Sequence, residues 1–158
     1  MNLLKTFIFT LVVPAAVTLY IPLWLVAPRA HVHADAAHLL GLLPVALGVC
    51  VYLWCAWDFA TRGRGTPAPV DPPKELVAHG LYRHVRNPMY VGVTVLLLGE
   101  SLLLASAAIL WYTVAVVIWF NLFVLFYEEP TLRRKFGDSY ERYCRAVPRW
   151  IPRLRASH

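Results

Sequence analysis

Long stretches without a charged residue restrict the fold of this 158-residue chain more than any other feature. Residues 7–27 and 39–57 carry no charge, and each stretch is long enough to cross roughly 30 Å of hydrocarbon as a helix. The uncharged stretch 101–127 is too long for one span. Together with residues 89–99 it suits two spans of about 18 residues that join near Ala105 and Ser106. We therefore predict an all-α polytopic membrane protein with four transmembrane helices, the last two forming a helical hairpin.

The overall composition supports a membrane protein and bears on its partners. Hydrophobic residues make up 59% of the chain and charged residues 15%, with a mean hydropathy of +0.55, which is too apolar for an ordinary soluble domain of this size. The net charge of +6 is typical of some nucleic-acid-binding proteins. Here the basic residues lie beside the predicted spans, where topology and anionic lipid headgroups account for them. We expect membrane lipids as surroundings and no nucleic acid partner.

The basic residues also predict the orientation in the membrane, because cytoplasmic loops are enriched in Lys and Arg. Arg29 is the one basic residue between the first and second predicted spans. All others precede the first span, separate the second from the third, or follow the fourth. We expect both termini to be cytoplasmic, which in a bacterium means a multi-pass protein of the inner membrane.

The chain is predicted to be a single membrane domain with three parts. Residues 1–60 hold two anchor spans, residues 61–79 form a connector rich in Gly and Pro, and residues 80–158 form the core that carries the chemistry. The pair Asn87-Pro88 predicts the start of the third span, with Asn87 as the N-cap acceptor and Pro88 at the first helical position. A helix start of this kind favours a bound anion.

The segment after the fourth predicted span has the pattern of a surface helix. Beyond Glu129, apolar residues recur every three or four positions, which predicts a C-terminal cytoplasmic amphipathic helix. Gly137 is expected to break that helix. Trp150, between two prolines, is expected to anchor the chain at the membrane interface.

Two short motifs flank the predicted hairpin and carry a resemblance to a known family. They read Arg86-Asn87-Pro88-Met89-Tyr90-Val91-Gly92 before the hairpin and Glu128-Glu129 after it. With the tail that follows, they resemble the integral membrane methyltransferases typified by isoprenylcysteine carboxyl methyltransferase and the phospholipid methyltransferases. The resemblance covers the chain from about Lys74 to Leu154. Its motifs are specific only in combination.

The resemblance implies S-adenosylmethionine as the cofactor, bound on the cytoplasmic side, and a lipophilic methyl acceptor that enters from the bilayer. The cofactor-binding residues that it implies are Lys74, Glu75, Leu76, Val77, Tyr82, Arg86, Asn87, Pro88, Met89, Tyr90 and Glu128. The cofactor's carboxylate suits Arg86 and the helix start, and its ammonium suits a glutamate.

The catalytic residues expected on this basis are Arg86, Glu128 and Glu129. Methyl transfer from a sulfonium disperses positive charge, so alignment of donor and acceptor in a dry site contributes more than anions near the sulfur. The two glutamates are expected to orient the donor, and one is a candidate proton acceptor for an amine or thiol acceptor.

Two positions depart from the family pattern. The family's motif has His where this chain has Asn87, which can donate and accept hydrogen bonds but cannot titrate. The prenylcysteine enzymes place an Arg four residues before the first matched Glu, and this chain has Val124 there. The carboxylate acceptor of those enzymes is therefore not implied for this chain, and the acceptor stays open.

Other interpretations of the same residues remain open from the sequence alone. Membrane sterol reductases carry a similar basic motif and use NADPH, and a non-enzymatic membrane subunit could keep the same scaffold. Arg83 and Arg86 also suit the flank of a span, and Glu128-Glu129 suits a helix end. Glu100 is expected to snorkel to the far interface. The three cysteines and the six histidines show no disulfide framework or metal-ligand spacing, so no metal is predicted.

Overall fold

The computed structural model describes residues 12–26, 35–61, 76 and 78–153, and every regular element in that part of the chain is helical. A short 3-10 turn, Gly80–Arg83, precedes the hairpin, and a π-helical segment, Val124–Glu128, follows it. The α-helices are α1 (Val12–Val26, with a π-helical stretch at Ala16–Tyr20), α2 (Ala36–Leu39), α3 (Leu42–Thr61), α4 (Pro88–Leu103), α5 (Ala107–Phe123), α6 (Glu129–Phe136) and α7 (Asp138–Ala146).

Two of these helical stretches are long and apolar enough to cross a membrane. They are Leu42–Phe59 within α3 and the continuous helical stretch Ala107–Phe136. Helices α1 and α4 are apolar but shorter. The predicted all-helical class is confirmed for the described residues, whereas the count of four spans stays a prediction. The predicted connector lies almost entirely outside the described residues, as does the start of the first predicted span.

Helices α3 and α4 form the tightest helix pair because glycines let their backbones approach. A Cβ atom on Gly48 would lie 2.5 Å from the carbonyl oxygen of Gly92, and one on Gly41 would lie 2.7 Å from that of Gly99. Small residues at such crossings favour close helix packing in membranes. The close packing of α3 on α4 therefore anchors the hairpin of α4 and α5.

The hairpin of α4 and α5 turns where the sequence predicts it. Ala105 adopts a positive φ of 46°, and the side chain of Ser106 caps α5 by accepting a hydrogen bond from the backbone N–H of Ile109 at 3.3 Å. The two helices run back along each other from this turn. Their far ends, at Pro88 and Phe123, therefore lie at the same end of the bundle.

A small apolar core joins the hairpin to α3. Its buried members are Tyr52, Ala56, Val93, Leu97 and Val116. Helix α1 is tied to the hairpin by Tyr112, whose hydroxyl donates to the carbonyl oxygen of Val17 at 3.0 Å. These contacts fix the hairpin between α1 and α3.

The chain after the hairpin folds back onto the loop that precedes it. The predicted break occurs at Gly137, which separates α6 from α7 at a φ of 52°. The residues 147–153, which we call the C-terminal strap, then run beside residues 84–87. The backbone N–H of Arg86 donates to Pro148 at 2.8 Å, and that of Arg153 donates to His84 at 3.0 Å. The strap thereby closes one end of the hairpin.

Candidate active site

The hairpin brings together the two sequence motifs that the resemblance singled out. Tyr90 lies in the first turn of α4, and its hydroxyl donates a hydrogen bond to Oε2 of Glu128 at 2.9 Å. Tyr90 is the hydrogen-bond partner that the described part of the chain provides for this carboxylate. The prediction that the basic motif and the acidic pair meet at one end of the hairpin is therefore confirmed in its geometry.

The two adjacent glutamates, at the end of a π-helical segment, have different surroundings. Its wider turn, Val124–Glu128, inserts one residue per turn relative to an α-helix, a feature that recurs at functional sites. Glu128 is half-buried beside Tyr90, whereas Glu129 is only 4% exposed and points toward the C-terminal strap. The pair thus divides into one carboxylate on each side of the helix.

Glu129 is held by guanidinium groups on both of its oxygens. Arg149 donates to it through Nε at 2.7 Å and through Nη2 at 3.0 Å, which is the bidentate geometry of strong Arg–carboxylate pairs. Nη1 of Arg86 donates to the same carboxylate at 3.0 Å, and Arg133 approaches it at 3.9 Å. Hydrogen bonding to Glu129 raises the pKa of Arg149. The carboxylate of Glu129 is committed to these partners.

Arg86 lies at the centre of this ion cluster. Besides Glu129, its Nη1 donates to Sγ of Cys144 at 2.9 Å. Its Nε atom is buried, and no described residue provides it with a hydrogen-bond partner. Arg86 therefore couples the hairpin to the tail and keeps one donor uncommitted.

The interaction predicted for Asn87 is wrong in one respect. Asn87 occupies the N-cap position and Pro88 the first helical position, as expected, but the side chain of Asn87 makes no capping hydrogen bond. Its Nδ2 instead donates to the carbonyl oxygen of Arg149 at 3.2 Å. The amide of Asn87 is turned toward the strap, whose backbone passes within reach.

Aromatic residues from two elements, α5 and the C-terminal strap, pack beside the Tyr90 ring and border a cavity. Phe120 lies 4.6 Å from it between ring centroids and Trp150 lies 6.5 Å away. Both rings also line a cavity of about 320 Å³ between α4 and α5, within the size range of small-molecule sites. Its remaining lining residues are Val91, Thr94, Val95, Val117 and Asn121. The site thus combines a carboxylate with an adjoining apolar cavity.

The other predicted cofactor-binding residues lie around this end of the bundle, in so far as they are described. Met89 packs between the apolar core and a second buried cluster that contains Cys55 and Tyr82. Pro88 is fully buried, and Leu76 is half-buried outside any helix. Lys74, Glu75 and Val77 lie outside the described residues.

Tyr82 and Tyr143 connect the loop before the hairpin to α7. The hydroxyl of Tyr143 donates to the carbonyl oxygen of Tyr82 at 2.7 Å. Burial raises the pKa of the Tyr82 phenol well above its ordinary value. Burial also raises the pKa of Tyr143, although Arg86 acts in the opposite direction. Both phenols therefore remain neutral donors at physiological pH.

Sequence reasoning missed Arg149 as a partner of the acidic pair. It is one of eight basic residues that follow the fourth predicted span, and its spacing does not distinguish it from the others. Its position between Pro148 and Trp150 is the one available signal, because prolines fix the path of a short extended segment. Trp150 lines the cavity, and its predicted place at the membrane interface stays a prediction.

Comparison with known proteins gives the class of this chain. The sequence profile of phospholipid methyltransferases matches residues 36–139, which is more than half of the chain. The chain belongs to this family of membrane methyltransferases. The match favours methyl transfer over the nicotinamide-dependent reduction that the basic motif left open.

Individual relatives agree with the family. Protein-S-isoprenylcysteine O-methyltransferase of Schizosaccharomyces pombe is 40% identical over 78 residues, covering 49% of this chain and 33% of that protein. Protein-S-isoprenylcysteine O-methyltransferase B of Arabidopsis thaliana is 34% identical over 79 residues, covering 49% and 40%. An uncharacterized protein of Haemophilus influenzae is 33% identical over 63 residues, which is 40% of this chain and 100% of that protein. The chain thus spans well under half the length of the two named enzymes, and no solved structure matches it.

The residues of the site fit the methyl donor that the family implies. S-adenosylmethionine carries an ammonium and a carboxylate on one arm. Glu128 offers an acceptor for the ammonium. The first backbone N–H groups of α4, which a helix leaves unpaired, and the uncommitted Nε of Arg86 offer donors for the carboxylate. The donor set therefore suits a zwitterionic group.

Proposed function

We propose that the chain is an S-adenosylmethionine-dependent integral membrane methyltransferase that acts on a lipophilic acceptor entering from the bilayer. The observation that carries this proposal is the Tyr90–Glu128 hydrogen bond at 2.9 Å, at the head of an apolar hairpin and beside a cavity of about 320 Å³. A polar site that borders hydrocarbon can receive a water-soluble methyl donor from one side and a lipophilic acceptor from the other. Membership of the phospholipid methyltransferase family supports the reaction class.

The proposed membrane arrangement has four spans with both termini in the cytoplasm. Leu42–Phe59 and the stretch that begins at Ala107 have the length for two of the spans. Helix α4 is antiparallel to α5 and packs along α3, so it crosses the same layer as its neighbours, and α1 packs on α5. The active site then lies at the cytoplasmic end, where the basic residues concentrate.

Glu128 is the residue that we propose to act directly on the reactants. When bound, S-adenosylmethionine supplies a methyl group on a positively charged sulfur. The carboxylate of Glu128 accepts a hydrogen bond from the ammonium of the bound molecule or takes a proton from the acceptor, and Tyr90 fixes its rotamer. Positioning of this kind lowers the activation free energy of a bimolecular reaction by up to about 7–11 kcal/mol.

The remaining predicted catalytic residues are assigned a different part in this proposal. Arg86 and Glu129 bind each other, and Glu129 also binds Arg149 of the strap. We propose that these contacts fix the strap against the hairpin. The buried Nε of Arg86 is the one atom of this pair that we propose to reach the donor's carboxylate.

Ligand binding tests the proposal before any acceptor is known. The detergent-purified chain should bind S-adenosylhomocysteine and not NADPH in equilibrium titrations. Glu128→Gln should weaken S-adenosylhomocysteine binding by about tenfold, since a charged acceptor is replaced by a neutral one. Glu141→Gln is the matched control, because Glu141 pairs with Arg133 at the exposed surface.

Two results would contradict the proposal. Binding of NADPH would indicate a reductase, and binding of neither molecule would indicate a non-enzymatic subunit. If S-adenosylhomocysteine binds, transfer of a labelled methyl group from S-adenosylmethionine to extracted membrane lipids, with mass identification of the product, names the acceptor.

A further inference from the structure

Helix α3 carries a buried carboxylate that the proposed mechanism does not use. Asp58 lies in the last turn of α3 and is 3% exposed. Glu129, the other buried carboxylate of the described residues, is bound by Arg86 and Arg149 and has its part in the proposal above. Burying a carboxylate costs free energy that its surroundings must offset. Asp58 is therefore a candidate for a role that a simple anchor helix would not need.

The carboxylate of Asp58 lies against the 3-10 turn Gly80–Arg83. Gly80 begins this turn with a φ of 55°, a conformation that residues with a side chain rarely adopt. A Cβ atom on Gly80 would overlap Oδ2 of Asp58, so the carboxylate occupies the space that a side chain at position 80 would need. The close contact of Asp58 with the turn therefore depends on glycine at this position.

The same turn packs between α3 and α7 through Tyr82. The ring of Tyr82 meets the ring of Phe59 edge to face, with 5.5 Å between the centroids, and it shares a buried cluster with Cys55. Cys55, Asp58 and Phe59 are three or four positions apart, so they lie on one face of α3. On the other side, the hydroxyl of Tyr143 donates to the carbonyl oxygen of Tyr82. One face of α3 therefore determines where Tyr82 lies.

The phenol of Tyr82 lies within electrostatic range of the carboxylate of Glu128. Burial is the main cause of the raised pKa of Tyr82, and the neighbouring groups Cys55 and Glu128 act in the same direction. The hydroxyl of Tyr82 hydrogen-bonds to the thiol of Cys55. A phenol that donates its proton to one partner keeps lone pairs on its oxygen. That oxygen can therefore accept a hydrogen bond from an ammonium group that Glu128 holds.

We propose that Asp58 is a positioning residue for the methyl donor: it fixes the turn Gly80–Arg83 on α3 and so keeps the phenol of Tyr82 beside Glu128, where the ammonium of the donor binds. The helix of the second predicted anchor span then takes part in donor binding. The inference deepens the proposed function and rests on it for the ammonium at Glu128. Asp58 should accordingly affect the amino acid arm of the donor and not its adenosine part.

Two ligands that differ in this arm test the inference in equilibrium titrations of the detergent-purified full chain. S-adenosylhomocysteine carries the ammonium, whereas 5′-methylthioadenosine lacks the amino acid arm. Asp58→Asn keeps the size of the side chain but removes its charge and one acceptor oxygen, which releases the turn. It should weaken S-adenosylhomocysteine binding about tenfold and 5′-methylthioadenosine binding less than about twofold. Thr61→Ala, which removes a hydroxyl bonded to its own helix at Trp57, is the control and should bind both ligands as the wild type does.

Two further variants test whether Asp58 acts through the turn and Tyr82. Gly80→Ala places a methyl group against Asp58 and strains the positive φ, so it should show the same selective loss of S-adenosylhomocysteine binding. In a Tyr82→Phe background, Asp58→Asn should cause little further loss, because the hydroxyl through which Asp58 acts is already absent. Losses that add in the double variant would show that Asp58 does not act through Tyr82, which contradicts the inference.

A merely structural role of Asp58 gives different results in these titrations. Asp58→Asn would then lower the thermal denaturation midpoint and leave both affinities unchanged, or weaken both ligands alike, and either result would overturn the inference. Failure of the wild type to bind S-adenosylhomocysteine would overturn the proposed function and this inference with it. Wild-type affinities in Asp58→Asn, when the wild type binds S-adenosylhomocysteine, would overturn the role of Asp58 alone.

Discussion

The hydroxyl of Tyr90 donates to the carboxylate of Glu128 at 2.9 Å although the two residues are 38 positions apart in the chain. The contact depends on two helices of nearly equal length, α4 with 16 residues and α5 with 17, and on the short turn at Ala105 that joins them. Because the helices rise equally, the first turn of α4 and the end of α5 return to the same level, and the π-helical segment Val124–Glu128 carries the chain on to Glu128. The hairpin therefore brings the residues of the site together.

Removal of the Tyr90 hydroxyl tests whether this contact supports donor binding. Tyr90→Phe should weaken S-adenosylhomocysteine binding by up to about tenfold in calorimetric titrations, because Glu128 loses the hydrogen bond that orients it. Tyr112→Phe removes a hydroxyl that bonds to Val17 elsewhere in the bundle and should leave the affinity unchanged. Equal affinities in the wild type and Tyr90→Phe would show that the contact is structural only.

Loss of the buried carboxylate at position 129 should destabilise the fold. Glu129→Gln leaves Arg86 and Arg149 without their shared anion, and breaking a buried ion pair costs about 3–5 kcal/mol. The thermal denaturation midpoint in detergent should fall accordingly. Glu141→Gln breaks the exposed pair with Arg133 and should change stability by less than about 1 kcal/mol. A similar small effect in both variants would show that the ion pairs of Glu129 with Arg86 and Arg149 do not stabilise the fold.

The crossing of α3 and α4 should not tolerate a methyl group. Gly48→Ala places a Cβ 2.5 Å from the carbonyl oxygen of Gly92, so the two backbones must separate. We expect a loss of at least about 2 kcal/mol of stability, seen as a lower denaturation midpoint. Val49→Ala, at an exposed position of the same helix, serves as the control. A wild-type midpoint for Gly48→Ala would show that the helices pack less closely than described.

Alkaline pH should weaken the link between α7 and the loop before the hairpin. The folded state raises the pKa of Tyr143 through burial, so the neutral phenol is favoured by folding. This contribution is complete below the unfolded pKa of about 10 and is lost as the pH rises above it. Tyr143→Phe should be less stable than the wild type by about 1 kcal/mol at pH 8, with a difference that narrows above about pH 10. Denaturation midpoints that stay parallel across this pH range would contradict the assignment.

The sequence predicts the hairpin well because its determinants are local. Uncharged length sets where each helix can run, and Asn87-Pro88 and Ala105-Ser106 mark their ends. Those lengths place Tyr90 and Glu128 at the same end of the bundle, and the π-helical segment Val124–Glu128 sets which glutamate faces Tyr90. The helical break at Gly137 is likewise visible, because glycine readily adopts the positive φ found there.

The partners of the acidic pair are not predictable in the same way. Arg149 reaches Glu129 only because the strap doubles back on Arg86, a long-range path that no local pattern encodes. The same path takes Asn87 away from its capping role. Adjacent side chains of a helix lie about 100° apart, so the two glutamates have different surroundings, and the π-helical segment before them sets which surroundings each one has.

The single added residue in that π-helical turn determines which side chains face Tyr90 and which face the guanidinium cluster. Each residue of an α-helix rotates the next side chain by about 100°, so deleting one position among residues 124–127 would turn the following glutamates around the helix axis. Glu129 would then take the position beside Tyr90, and Pro130, which carries no charge, would take the position that faces the guanidinium cluster. The spacing between Asn121 and Glu128 is therefore expected to tolerate side-chain exchange far better than any change in its number of residues.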